Sequence, residues 1–115
     1  MEIFIMNENL KAFIEENIEL IERGDLYTLY NNTKEHRYEH WYVGELTDML
    51  YAVDIHPLKY LTEVPEGFLN WSTEITELYI PSNIEEIGWY AFYLSALKSV
   101  SIPDSIKKNQ WRRIL

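Results

Sequence analysis

Cysteine is absent from this 115-residue sequence, which excludes disulfides, thiolate nucleophiles and cysteine-ligated zinc together. Glycine and proline are scarce, at four each, and they form no phosphate-cradling glycine loop, nucleophile elbow or linker. Bases are scarce too: 10 Lys and Arg stand against 19 Asp and Glu, for a net charge of −9. The deficit is uneven, with residues 1–74 carrying 15 acids and 5 bases and residues 75–115 close to neutral. Phosphate contacts require clustered bases, so nucleic acid is a poor direct ligand and a basic protein surface a better one. Long apolar runs are also missing. Met1–Met6 is too short for a signal-peptide core and carries an acid at Glu2, so the expected location is cytoplasmic.

What the chain does have is a repeat. Ile75, Leu78, Ile80, Pro81 and Ile84 recur as Leu97, Val100, Ile102, Pro103 and Ile106, a constant shift of 22 residues. A fixed period in the twenties marks a solenoid, whose units bury their apolar faces against one another. Leu78-x-Ile80 and Val100-x-Ile102 alternate as half-buried strands do, and Pro81 and Pro103, which lack an amide hydrogen, end them. Gly88-Trp89-Tyr90-Ala91-Phe92 then turns the chain, and the rings Trp89, Tyr90, Phe92 and Tyr93 are expected to pack.

The segments LYIPSNIEEIGWYAF and LKSVSIPDSI resemble the BspA-type leucine-rich repeats, whose units read approximately L-x-x-V-x-I-P-x-S-V-x-x-I-G-x-x-A-F. The resemblance is specific over residues 75–106. Upstream, Val64–Leu69 looks like the tail of a degenerate unit; downstream, Asn109-Gln110 replaces the expected Ile-Gly, while Trp111 and Ile114 keep the spacing of Trp89 and Phe92. The resemblance implies a binding scaffold.

The front of the chain is helical. Leu10, Phe13, Ile14, Ile18 and Ile21 predict one amphipathic helix, capped by Asn7 or Asn9 and stopped by Gly24. Asp25 is placed to cap a second, with Leu26, Leu29 and Tyr30 inward and Asn31-Asn32 at its end. Trp41, Tyr42, Leu46, Met49, Leu50 and Val53 mark a third, weakened by Gly44, and Pro57 opens a short turn through Tyr60. The expected fold is therefore α+β: an acidic helical cap of three or four short helices (1–60), packed as one body on about two repeats (61–115). A solenoid this short needs caps, and the basic tail Lys107, Lys108, Arg112 and Arg113 is expected to cover its other end.

Four constellations are candidates for function. Glu15, Glu16, Glu19 and Glu22 form an acidic helix face, whose ordinary role is solvation and whose functional role is docking into a basic groove. Glu77, Tyr79, Ser99 and Ser101 are expected to point away from the strand core and line a concave, protein-binding side. His36 and His40 have the four-residue spacing of helical metal ligands, but without the zinc-protease order or a third ligand they make a weak metal site. No carboxylate pair is singled out for acid–base work, so no enzyme activity and no cofactor are expected. Small proteins with this helical front and BspA-like tail look like accessory products of bacteriophages and mobile elements. Resemblance and charge together imply an inhibitor of a basic nucleic-acid-binding host protein, anti-CRISPR-like, with a CRISPR effector nuclease as the type of partner in a bacterial host cell. The alternative is an assembly protein that associates with itself through the open repeat edge.

Overall fold

The computed structural model describes residues 7–36 and 40–107, which fall into two compact units divided between Trp41 and Tyr42. Expectations for Met1–Met6, Lys108, Trp111, Arg112, Arg113 and Ile114 lie outside the described residues. Short helices precede small parallel sheets, a mixed α+β chain.

In the first unit, the Asn7 side chain accepts the backbone N–H groups of Asn9 and Leu10, at 2.8 and 3.3 Å, and so caps α1 (Glu8–Glu16). Leu10 and Phe13 are buried beneath it. The single helix expected through Ile21 is not continuous. It breaks at Asn17, whose Nδ2 donates to the Phe13 carbonyl at 2.8 Å and whose Oδ1 accepts Asn32 Nδ2 at 2.9 Å. The Asn17 N–H also donates to the Phe13 carbonyl, at 3.1 Å, so backbone and side chain close on one oxygen and this local tie marks the end of α1. α2 (Ile18–Glu22) restarts the helix out of phase, which leaves Ile18 43% exposed and not in the core.

Gly24, at φ +74°, ends α2. Asp25 then caps α3 (Leu26–Asn32), accepting the Thr28 N–H at 3.1 Å. Hydrogen bonds from Thr28, side chain first and backbone second, hold the Asp25 carboxyl below its ordinary pKa. Leu26, Leu29 and Tyr30 are buried, as their spacing predicts. A 3-10 turn over Thr33–His36 follows.

The second unit begins with α4 (Val43–Ala52), where Glu45 accepts the Tyr42 N–H at 2.7 Å. Leu46 and Leu50 are buried, whereas Tyr42 and Val53, expected on the same stripe, are exposed. Pro57 opens a 3-10 turn to Tyr60. The strands β1 (Glu63–Val64), β2 (Glu77–Tyr79), β3 (Glu86–Ile87) and β4 (Ser99–Ser101) then form two parallel pairs, β1 with β3 and β2 with β4.

The β2–β4 register sets Leu78 beside Val100 and Tyr79 beside Ser101, so the sequence shift of 22 becomes the physical offset between coils. The β1–β3 register sets Val64 beside Ile87, an offset of 23. The offset of 23 persists in the backbone: Gly67 and Tyr90 are both left-handed (φ +69° and +57°), as are Trp71 and Leu94 (φ +62° and +54°). Coil-to-coil hydrogen bonds continue between the strands, from Gly67 N–H to Trp89 C=O at 3.0 Å, Ala96 N–H to Ser72 C=O at 3.0 Å and Lys98 N–H to Thr76 C=O at 2.7 Å. The segment that looked like a degenerate tail is thus a stacked coil. Val64, Phe68, Leu69, Leu78, Ile80, Ile84, Ile87, Ala91 and Ile106 fill the core.

Two glycines permit this stacking. The Gly44 N–H donates to Asn70 C=O at 2.9 Å, and a Cβ there would lie 2.1 Å from that oxygen. Gly88 N–H donates to Val64 C=O at 2.7 Å, and a Cβ there would lie 2.5 Å from the Glu66 nitrogen. Asp48 adds a second tie between α4 and the coil, accepting Ser72 Oγ at 2.6 Å and the Thr73 N–H at 2.9 Å.

Candidate protein-binding surfaces

All four glutamates of the acidic row are exposed in the first unit, Glu15 and Glu16 on α1 and Glu19 and Glu22 on α2. The row therefore spans a helix break. None of the four forms an ion pair among the described residues, where Arg23 pairs with Asp25 at 3.4 Å and His56 hydrogen-bonds Asp54 at 2.8 Å. The carboxylates remain available to a basic partner.

His36 ends the 3-10 turn and packs its ring edge-on to Phe13, at 5.1 Å between centroids, while Trp41 lies 4.9 Å from the same phenyl ring. His40 sits in a bend at φ +63°, and its carbonyl accepts Asn7 Nδ2 at 2.7 Å. The described residues contain no helix that joins the two histidines, and no group of three or more His, Cys, Asp or Glu placed to hold a metal ion.

In the second unit, Glu77, Tyr79, Ser99 and Ser101 are all exposed while Leu78 between the first two is buried, the alternation of a half-buried strand. The register brings Glu77 beside Ser99 and Tyr79 beside Ser101, so the four share one face. Tyr79 is 71% exposed and is its largest projection. On the other pair, exposed Glu63 stands directly beside exposed Glu86. Like charges at paired positions oppose each other. Glu86→Lys is accordingly expected to raise stability by about 0.5 kcal/mol, read as a higher urea midpoint at low salt.

The aromatic turn departs from expectation. Ala91 and Phe92 are buried, but Trp89, Tyr90 and Tyr93 are each more than half exposed. Tyr90, left-handed at φ +57°, stacks edge-on with Tyr93 at 5.9 Å, and Tyr42 lies 5.5 Å from Trp71. Sequence pattern gave no sign of this, because aromatic residues at turn positions look alike whether they face in or out.

A groove of about 280 Å³ also went unforeseen. Tyr51, His56, Leu58 and Lys59 form one side and β2 with Pro81 the other. The His56 ring meets Tyr51 edge-on at 4.8 Å and shares a 2.8 Å hydrogen bond with Asp54 through Nε2. Burial pushes the Tyr51 phenol up to about 12.

Stacked coils joined by short parallel strands, one face polar and the other packed, define a solenoid repeat protein of the kind that presents a surface to a partner. The profile of the BspA type leucine rich repeat region (6 copies) matches residues 49–111, more than half of the chain. The chain belongs to this family of leucine-rich repeats, which serve generally as protein-binding modules. The match reaches upstream through the coil at 62–72 and into α4, well beyond the span legible by eye. No curated protein and no solved structure matches the chain. Among the described residues no helix is long and apolar enough to cross a membrane.

Proposed function

We propose that the chain is a stoichiometric binder of a basic, nucleic-acid-binding protein and inhibits it by occupying the groove that would hold nucleic acid. A CRISPR effector nuclease of a bacterial host is the type of target this reading favours, and the protein would then act as an anti-CRISPR in the host cytoplasm. The supporting observation is the row Glu15, Glu16, Glu19 and Glu22, exposed and without ion-pair partners among the described residues. Such a row attracts a basic surface over roughly a Debye length, about 8 Å at physiological salt. The polar strand face around Tyr79 supplies a second contact, with the ring as its anchor.

The test is a tagged pull-down from nuclease-treated bacterial lysate at low and high salt, followed by affinity measurement on the recovered partner. Reversing Glu15, Glu16, Glu19 and Glu22 to Lys is expected to weaken binding at least about a hundredfold at low salt, mainly through slower association. Unchanged affinity would remove this face from the interface. One observation favours a second reading, self-assembly through the repeat edge. Leu97, Val100 and Ile102 are only half-buried, whereas their counterparts Ile75, Leu78 and Ile80 are buried. Sedimentation that shifts with protein concentration would support assembly over inhibition.

A further inference from the structure

Among the described residues, strand β2 is paired on one side only. Thr76 C=O accepts the N–H groups of Lys98 and Ser99, and Ile80 N–H donates to Ser101 C=O at 3.1 Å, so alternate residues from 76 to 80 are directed at β4. The pleat then turns the backbone N–H and C=O of Glu77 and Tyr79 to the opposite edge. There they take no hydrogen bond among the described residues. The edge is not open to bulk on all sides, since it forms one wall of the groove closed on the far side by Tyr51, His56, Leu58 and Lys59. In the preceding coil, the position 22 residues before Leu78 is His56, which is extended (φ −112°, ψ 93°) but enters no strand. The groove lies where a third strand of the sheet would run.

We infer that this groove binds an extended peptide segment of a partner protein, which adds as a third strand to the free edge of β2. Donors and acceptors on Glu77 and Tyr79 match the two-residue repeat of a strand, and strand addition draws its affinity from such main-chain bonds. Leu58, Leu78 and Pro81 give the groove an apolar lining, while Lys59 and Glu77 bring one charge of each sign. The ligand is therefore selected by an apolar side chain at alternate positions and not by net charge. This site goes beyond the acidic row and does not depend on it; it uses the backbone of Tyr79, where the strand-face contact uses the ring.

The test uses the full chain and a panel of heptapeptides, Thr-X-Thr-X-Thr-X-Thr, with X as Val, Leu, Phe or Tyr. Binding is followed by the amide chemical shifts of Glu77 and Tyr79. The tightest peptide is then N-methylated on either alternate set of amides. Methylation of the set that faces β2 is expected to weaken binding at least about tenfold, and methylation of the other set less than about twofold. Tyr79→Pro, which removes an edge N–H at a position where proline is tolerated, is expected to abolish binding, while Tyr79→Ala retains it. The N-methyl comparison uses the unaltered protein, so it holds whether or not the proline variant folds. Absence of binding by every peptide at millimolar concentration, or equal losses from the two methylation sets, would overturn the inference. Retained peptide binding in the four-lysine variant separates this site from the acidic row.

Discussion

Gly44→Ala is expected to destabilise the second unit by about 3 kcal/mol or to prevent its folding, measured by urea denaturation with a tryptophan signal. Helix propensity alone predicts the opposite sign, because alanine within a helix is favoured over glycine by about 1 kcal/mol. The decisive contact is the 2.1 Å that would separate the new Cβ from Asn70 C=O, with Ser72 N next at 2.6 Å. Both are backbone atoms held by their own hydrogen bonds, Asn70 C=O by Gly44 N–H and Ser72 N–H by Leu69 C=O. Neither can swing aside as a flexible side chain would. The whole helix must lift, and with it go the packing of Leu46 and Leu50 and the bonds of Asp48. Gly24→Ala is the informative comparison. No described residue lies within 4 Å of a Cβ at Gly24, so its left-handed backbone is what opposes the change, at about 1–2 kcal/mol. A Gly44→Ala variant as stable as the parent would mean that α4 does not sit on the coil as described.

Asp48→Ala is expected to cost about 3 kcal/mol in the same assay, and Asp48→Asn about half of that. Asp48 is only 8% exposed and accepts two hydrogen bonds from the coil at 2.6 and 2.9 Å. Bonds to an ionised group are the stronger kind, and truncation strands the Ser72 hydroxyl, itself buried, without its acceptor. The amide of asparagine keeps one acceptor oxygen but turns a donor toward a donor at the other bond. Equal losses for Ala and Asn would place the whole effect on charge and none on hydrogen-bond geometry.

The parts of the fold legible in the sequence are those where one residue type has one physical role. Asn7, Gly24, Asp25 and Pro57 act as their chemistry predicts, and the 22-residue shift is the β2–β4 register itself. Legibility fails where the structure preserves conformation but not residue type. The upstream coil repeats at 23 with Pro65 in the place of Gly88, Gly67 in that of Tyr90, and Phe68-Leu69 in that of Ala91-Phe92. Large and small core residues exchange places, so volume is conserved while identity is lost. Gly44 looked like a weakness in a helix and is its docking point. Asn17 looked like one polar position on a stripe and instead divides it. Of the candidate surfaces, the acidic row and the exposed strand residues follow from pattern. The free edge of β2 does not, since an unpaired N–H has no residue type of its own.

The uneven burial of the two coils carries a consequence for how the solenoid opens. In a stack of this kind each coil is stabilised chiefly by its neighbours, so protection against local opening follows the number of faces covered. Leu97, Val100 and Ile102 are only half-buried, whereas Ile75, Leu78 and Ile80 are buried. Amide hydrogen exchange should therefore advance as a front, first at Lys98, whose bond to Thr76 joins the less buried coil of β4, and latest at Gly67, Leu69 and Gly88, whose bonds lie among the buried residues. The molecule is then a ratchet of graded strength, loose where β4 lies and firm beneath α4.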